Sequence, residues 1–471
     1  MDNCRLRVFA SPLGFLRGAG ALGVVVLFCL AFAPPATALT QVNERQLVNQ
    51  SQEEIEPALF TYIQAGVEYS VSVWMNFDPN IKGNSSLKYT AWTSNGLANT
   101  STIPAVSGYT RYGDPVLVKH PTLNRVFLVA LARNDIIPAG TTIPDQTDTA
   151  VVVWYSVNGG WSWSSPHIVV RKSRQPNSAI DKYELDKPVA ATGPDGKLWV
   201  AYVLHDPPAG NGDKLQVQHG TLSGSPAAWN WSMEIGLPAS NAPFAPQIMV
   251  DSDGDVYVLY TAYDLGSHIR LLWDDAATTA VSFTELPEVP NVGVLYRVGT
   301  IEVTPGVKIR AISVPIAKLD RTRRRIAVAW HEENAPNRSS TRLQFATYRI
   351  DTGGWKNVTL AAGGVHQVNV GMDYDSNGNY LVTWYRFNPN QSIYFNVGKY
   401  VTIDVNGNPT WIADEGITGR LGDVAILTPD SNGVRNIGEY HDVSYTNGTF
   451  KAVHLIIVQP WGDPWAFTVR P

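Results

Sequence analysis

The sequence predicts an all-β protein built by repetition, and three observations carry that prediction. A pattern recurs seven times along the 471 residues, anchored at Pro57, Pro115, Pro188, Pro246, Pro315, Val370 and Tyr440. Each anchor starts an apolar alternation, followed by a polar turn and a second alternation that commonly ends in an aromatic residue, the period-2 signature of strands. No sustained helical periodicity appears after the first 38 residues, and no Ser/Pro/Gly-rich linker divides the chain. Units of about 60 residues that expose both sheet faces when isolated must close on one another, which predicts a single β-propeller. Seven four-stranded blades are favoured; six, with the first unit as a cap, is the alternative.

Within a unit, the segment after the anchor is expected to be the inner strand. Gly196, Gly254, Gly378 and Gly448 each fall at one distance past their anchors, where a tight hairpin needs positive φ. The next segments, Tyr69–Trp74, Val126–Leu131, Ile326–Trp330 and Tyr380–Trp384, are β-branched and aromatic, suited to the space between radially packed sheets. These are expected third in each unit, with Leu215–His219, His268–Trp273, Leu343–Ile350 and Ile393–Tyr400 as outer strands. Anchor spacing alternates between roughly 55–58 and 69–73 residues, which suggests longer loops on alternate blades. Gln46–Glu54 reads as a short helix or an ordered arm.

Residues 1–38 read as a leader to be removed. Arg5, Arg7 and Arg17 form a basic start, an apolar run extends from Ala19 to Ala33, and Ala36 and Ala38 give a small-residue cleavage site. Export is therefore expected, with residues 39–471 as the domain and no membrane span after processing. Both cysteines, Cys4 and Cys29, lie in the leader, so no disulfide or thiolate site is expected in the remainder. The net charge of −5 becomes about −7 without the leader, and no basic run occurs, which argues against nucleic acid as a partner. No cofactor or metal is expected. In Asp251-Ser252-Asp253-Gly254-Asp255 the Gly is misplaced for an EF-hand and no Glu closes the loop, so a hairpin turn is predicted. The oligomeric state is left open.

One hairpin carries a family likeness. Ser156-Val157-Asn158-Gly159-Gly160-Trp161-Ser162-Trp163 resembles the Asp box, Ser-x-Asp-x-Gly-x-Thr-Trp, of sialidase-like BNR-repeat propellers. Weaker copies begin at Asp351 and Asp404. The resemblance implies a hairpin between the outer two strands, on the face away from the active site, and a carbohydrate or glycoconjugate as partner. The catalytic pattern of that family does not carry over, because no Arg-Ile-Pro occurs and no arginine lies between Gln46 and Tyr109.

A propeller binds where residues entering the inner strands converge on the channel mouth. That rule selects Asp114, Glu439, Tyr440, His441 and Asp442 as catalytic candidates, with Arg111, Arg297, Lys187 and His366 for substrate; Glu56, Asp186 and Asn369 enter strands in the same way. Paired carboxylates suit glycoside hydrolysis, whereas a Tyr or His base beside a cation suits polysaccharide β-elimination. The competing reading is structural, with the acidic residues bonding backbone N–H groups of the adjacent blade. The expected function is a carbohydrate-active glycosidase or lyase, with a non-catalytic glycan- or protein-binding propeller as the alternative.

Overall fold

The computed structural model describes residues 39–47, 53–77, 84–136, 146–174, 184–205, 212–223, 228–238, 242–263, 266–276, 281–297, 299–334, 340–411, 415–427, 429, 432–457 and 462–470. The expected leader, with both cysteines, lies outside these residues.

Seven antiparallel sheets follow one another as blades. Blade 1 is Glu53–Gln64, Val67–Phe77, Ser85–Thr93 and Ala98–Thr102. Blade 2 is Arg111–Lys119, Val126–Ile136, Gln146–Ser156 and His167–Arg174. Blade 3 is Glu184–Thr192, Leu198–His205, Lys214–Ser223 and Ala228–Trp231, and blade 4 is Pro243–Val250, Val256–Ala262, His268–Asp274 and Thr284–Leu286. Blade 5 is Ile316–Asp320, Arg325–Glu333, Thr341–Arg349 and Trp355–Ala361. Blade 6 is Gln367–Tyr374, Tyr380–Phe387, Ile393–Ile403 and Pro409–Trp411. Blade 7 is Asp442–Thr446, Thr449–Ile457 and Gly462–Arg470, completed at its outer edge by Thr40–Gln46 from the other end of the chain.

The first-named strand of every blade is innermost, and each lies beside the next around the ring, with Asp442–Thr446 returning to Glu53–Gln64. The closure is stitched by side chains: Leu59 N donates to Asp442 Oδ2 at 3.0 Å and Thr61 N to Ser444 Oγ at 3.0 Å. Pairing Thr40–Gln46 with Gly462–Arg470 ties the two ends of the ring into one sheet. The seven-bladed expectation therefore holds. Among the described residues the only helical turn is Val424–Ile426, and no helix is long and apolar enough to cross a membrane.

One placement is corrected. The apolar-aromatic segments expected third in each unit are the second strands, and those expected outermost are the third strands. The second strand has neighbouring strands on both sides and sheets against both faces, so it is the most apolar; Trp74, Trp330 and Trp384 on it are essentially solvent-free. Burying a side chain of this kind contributes about 1.5–3 kcal/mol. The true outer strands, such as Ala98–Thr102 and Pro409–Trp411, are short and polar, so they leave no apolar alternation to read. Gln46 ends a strand, and residues 48–52 of the expected arm lie outside the described residues.

Two of the three long anchor intervals have a common use. The 246–315 interval supplies Gly299–Thr304 and Val307–Ala311, and the 370–440 interval supplies Val434–Arg435, which pairs parallel to the second of these. This accessory sheet buries Ile301, Val303, Ile309 and Ala311 against Ile55, Phe387, Leu455 and neighbours from blades 1, 6 and 7.

Candidate functional site: the channel mouth

The anchors mark a repeated backbone irregularity. In blades 1, 2, 3, 4 and 6 the register slips between Ile55/Ala58, Gly113/Val116, Asp186/Val189, Phe244/Gln247 and Val368/Val370. The residue before the anchor is left-handed in each: Glu56 (φ 55°), Asp114 (50°), Lys187 (49°), Ala245 (44°) and Asn369 (53°). Asn and Asp tolerate that conformation through local hydrogen bonding, but other side chains carry a strain of about 1–2 kcal/mol. Bulges re-aim side chains. Glu56 and Lys187 thus occupy positions whose backbone does not favour them, and the reason lies in what their side chains meet.

They meet in one buried ionic cluster. Lys187 Nζ lies 2.7 Å from Asp114 Oδ1 and 2.5 Å from Glu439 Oε2, and the Arg310 guanidinium lies 2.6 Å from Glu439 Oε1. Burial works against the Lys187 charge, but the carboxylates of Asp114 and Glu439 outweigh it and hold the ammonium well above its usual pKa. Burial pushes Asp114 upward, against the pull of Lys187. Glu56 is different: among the described residues its carboxyl has no ion pair or side-chain hydrogen bond, and burial holds it well above the usual carboxylate range. Two cations already face two carboxylates, so ionising Glu56 would leave a buried excess of negative charge. Between Asp114 and Glu56, burial favours the neutral form more strongly at Glu56. The Tyr440 ring lies beside the cluster, its centroid 5.9 Å from Lys187 Nζ, and burial raises the phenol well above its usual pKa.

Phe244, Ala245, Ile312 and Val314 pack together with Tyr440 against them, and Glu439, Glu56, Asp114 and Lys187 are all buried. Asp114, Lys187, Ala245, Val314 and Tyr440 border the central channel, a cavity of about 440 Å³ walled largely by apolar side chains of the inner strands. Its polar wall comes from blades 5 to 7: Lys318 Nζ lies 3.8 Å from Asp442 Oδ1, and burial lifts the nearby Asp373 to about 6. At its far end Arg321 donates to the Val250 and Thr192 carbonyls.

A second group sits beside the first on blades 3 and 4 and is more open to solvent. His205 is held between Asp186 (Nε2 to Oδ2, 3.3 Å) and Asp213 (Nδ1 to Oδ1, 3.0 Å), and Asp213 also pairs with Arg297. Burial disfavours the imidazolium, but the two carboxylates outweigh it and raise His205 to about 10, so it is a fixed cation at neutral pH.

The structure brings Asp114, Lys187, Glu439 and Tyr440 together. Asp442 is not with them but one step down the channel, where it makes the stitch to Leu59 that the structural reading assigned to Asp114 and Asp186. His441 turns out of the channel into the core between blades 6 and 7. Its Nε2 is 2.6 Å from Thr383 Oγ1, its ring is 4.0 Å from that of His454, and burial pushes it down to about 3. Alternation explains this, since Tyr440 and Asp442 face the channel and the residue between them faces the neighbouring sheet. His366 is buried at the start of blade 6 with Nδ1 unpaired, Arg111 begins blade 2, and Arg297 belongs to the His205 group. Sequence reasoning missed Arg310, His205, Asp213 and Lys318. Arg310 lies on the accessory sheet, outside the repeat, and the others lie past the anchors, so the anchor rule had no signal for them.

The motifs set aside from chemistry form turns. Asn158 Oδ1 accepts from Ser162 N at 3.0 Å, Gly160 N donates to Ser156 Oγ at 2.8 Å, and Gly159 and Gly160 have φ of 75° and 86°. Lys119 pairs with Val126 and Val126 with Ser156, so this hairpin lies at the end of blade 2 opposite Asp114. Asp251 Oδ1 accepts from the N–H groups of Asp253 and Asp255, closing a hairpin.

No family model matches the sequence, and no curated protein matches it. Among solved structures the chain is similar to a Dyadobacter fermentans protein of unknown function, at 12% identity over 74% of this chain and 95% of that one, with a TM-score of 0.46. It is also similar to polysaccharide lyase Uly1 (10% identity, 87% and 89% covered, TM-score 0.45) and to a Penicillium chrysogenum alpha-L-arabinanase (12%, 73% and 94%, 0.43). Likeness this distant carries no conclusion about what the chain binds or does.

Proposed function

We propose that the chain is an exported carbohydrate-active propeller that cleaves a glycosidic bond at its channel mouth. The observation that supports this is the arrangement of three carboxyls: Asp114 and Glu439 face Lys187 and Arg310, whereas Glu56 has no such partner and burial favours its neutral form. Environments that push the protonation of neighbouring carboxyls apart provide a general acid beside a carboxylate able to act as base or nucleophile. Glu56 is the proton donor to the leaving oxygen, and Lys187 positions its partners. Hydrolysis is preferred over β-elimination because His441 faces the core and burial holds the Tyr440 phenol well above its usual pKa, which leaves neither ready to act as the base. The carbohydrate class rests on the Asp-box resemblance. Entry of substrate requires Arg310 to leave Glu439 and Tyr440 to swing from the mouth.

The test is turnover of sialosides, uronate polysaccharides and plant or algal glycans by the purified protein. Glu56→Gln keeps the protonated shape and is expected to abolish turnover without lowering Tm. Absence of both turnover and glycan binding across the panel sinks the proposal. The second reading, a non-catalytic binding propeller, is favoured by one observation: Asp114 and Glu439 are buried and already paired with Lys187 and Arg310. Glycan binding without turnover, unchanged in Glu56→Gln, selects it.

A further inference from the structure

On the face opposite the mouth, the turns of blades 1 and 2 border an open groove of about 490 Å³. We propose that this groove is a separate binding site for an uncharged glycan, with a sugar ring stacked on Trp161. The proposal stands independently of the reaction assigned to the mouth.

Trp161 is surplus to the turn that carries it. In the Asp-box pattern the structural Trp is the last residue, here Trp163, which packs edge-on against Tyr89 with centroids 6.1 Å apart. Trp161 occupies a variable position and its ring is half-buried at the groove. Its backbone is nevertheless pinned: the Trp161 carbonyl accepts from Tyr89 Oη at 3.0 Å and from Asn99 Nδ2 at 2.9 Å, both on blade 1. An aromatic ring held from behind and open in front is a preorganised stacking platform. The two turn glycines make the close approach possible. A Cβ on Gly159 would lie 2.7 Å from Tyr62 Oη, and one on Gly160 would lie 2.8 Å from Val71 Cγ2.

The rest of the lining selects the chemistry. Gln64 brings an amide to the groove, the amides of Asn124 and Asn158 are already bonded to the Val157 carbonyl and to Ser162, and none of the described side chains lining it is charged. Thr93 Oγ1, on a residue only 6% exposed, is buried there without a hydrogen-bond partner, and Tyr62 Oη beneath Gly159 is likewise unpaired. Leu97 and Val157 form an apolar rim; with Ile63 and Leu123, this end of two blades holds four of the eleven large apolar side chains exposed among the described residues. A purely apolar ligand would leave the Thr93 hydroxyl and the Gln64 amide unsatisfied, and an ionic one would find no counter-charge. A pyranose, with a C–H face for the indole and hydroxyls for these two groups, satisfies both demands.

The probes are neutral hexasaccharides of β-1,4-glucan, β-1,4-xylan, β-1,4-mannan and α-1,4-glucan, titrated into the full chain by calorimetry and tryptophan fluorescence. At least one is expected to bind, and Trp161→Ala to weaken it tenfold or more. Leu97→Glu, at an exposed rim position that leaves the fold intact, is expected to weaken it several-fold, whereas Met233→Ser, at an exposed position after the outer strand of blade 3, leaves it unchanged. If no hexasaccharide binds, or if binding survives both groove substitutions, or if it is lost in Met233→Ser, the proposal is overturned.

Discussion

Acid should destabilise this protein through histidines that take no part in any proposed chemistry, and His331 isolates the effect. Its ring is fully buried on the second strand of blade 5, neither nitrogen has a hydrogen-bond partner, and burial, reinforced by His366, pushes it down to about 3. In the unfolded chain a histidine titrates near 6.5. A group whose folded pKa is depressed in this way binds its proton in the unfolded state first. Its contribution is therefore complete above about 6.5 and is lost progressively as pH falls toward 3. At pH 5 the deficit is about 1.5 pH units, or about 2 kcal/mol at 1.36 kcal/mol per unit. Other groups titrate over the same range, and Asp373, raised to about 6, acts in the opposite sense. A difference measurement removes them. His331→Leu keeps an apolar side chain of similar bulk and removes the titration, so urea unfolding of both proteins at pH 7.5 and pH 5 gives a double difference. The variant is expected to lose about 2 kcal/mol less than the parent between the two pH values. Identical pH dependence within a few tenths of a kcal/mol would refute a neutral, buried His331.

Three further outcomes are expected. Lys187→Met leaves Asp114 and Glu439 without their shared cation and should cost about 3–5 kcal/mol, the range for breaking a buried pair from one side, whereas Glu56→Gln should leave Tm unchanged or higher; thermal denaturation of the two variants reads the contrast. Deleting Thr40–Gln46 removes the outer strand of blade 7 and exposes the edge of Gly462–Arg470, so calorimetry should show a lower Tm and size-exclusion chromatography a shift toward association. Gly159→Ala places a Cβ 2.7 Å from Tyr62 Oη at a positive φ and should lower stability by about 1–2 kcal/mol, read as a shift in the urea midpoint.

The local decisions were legible in the chain. Period-2 alternation after each anchor specified seven inner strands, and Gly196, Gly254, Gly378 and Gly448 all adopt the positive φ (75° to 96°) that their shared spacing implied. The Asp-box likeness located a hairpin, and the structure explains it with the turn hydrogen bonds of Ser156 and Asn158. These features are legible because turn chemistry and face alternation depend on neighbours a few residues away. The same alternation did not tell the second strand from the third, because how many sheets cover a strand is a property of the ring and not of the segment.

The meeting of Glu56, Asp114, Lys187, Glu439 and Arg310 was decided only by closure of the ring. Asp114 and Lys187 stand on successive blades, and Glu439 enters blade 7, which reaches them only because the ring brings it back to blade 1. Arg310 comes from an accessory sheet that no repeat announces. His441, bracketed in sequence by two channel-facing residues, went to the core because alternation sends every second side chain to the other face. Sequence alone determined the repeating frame and where along it polar groups enter. Tertiary structure decided which of those groups share a desolvated space, and there Coulomb interactions and burial, which depend on distance and not on order along the chain, set which carboxyls are pushed toward the neutral form.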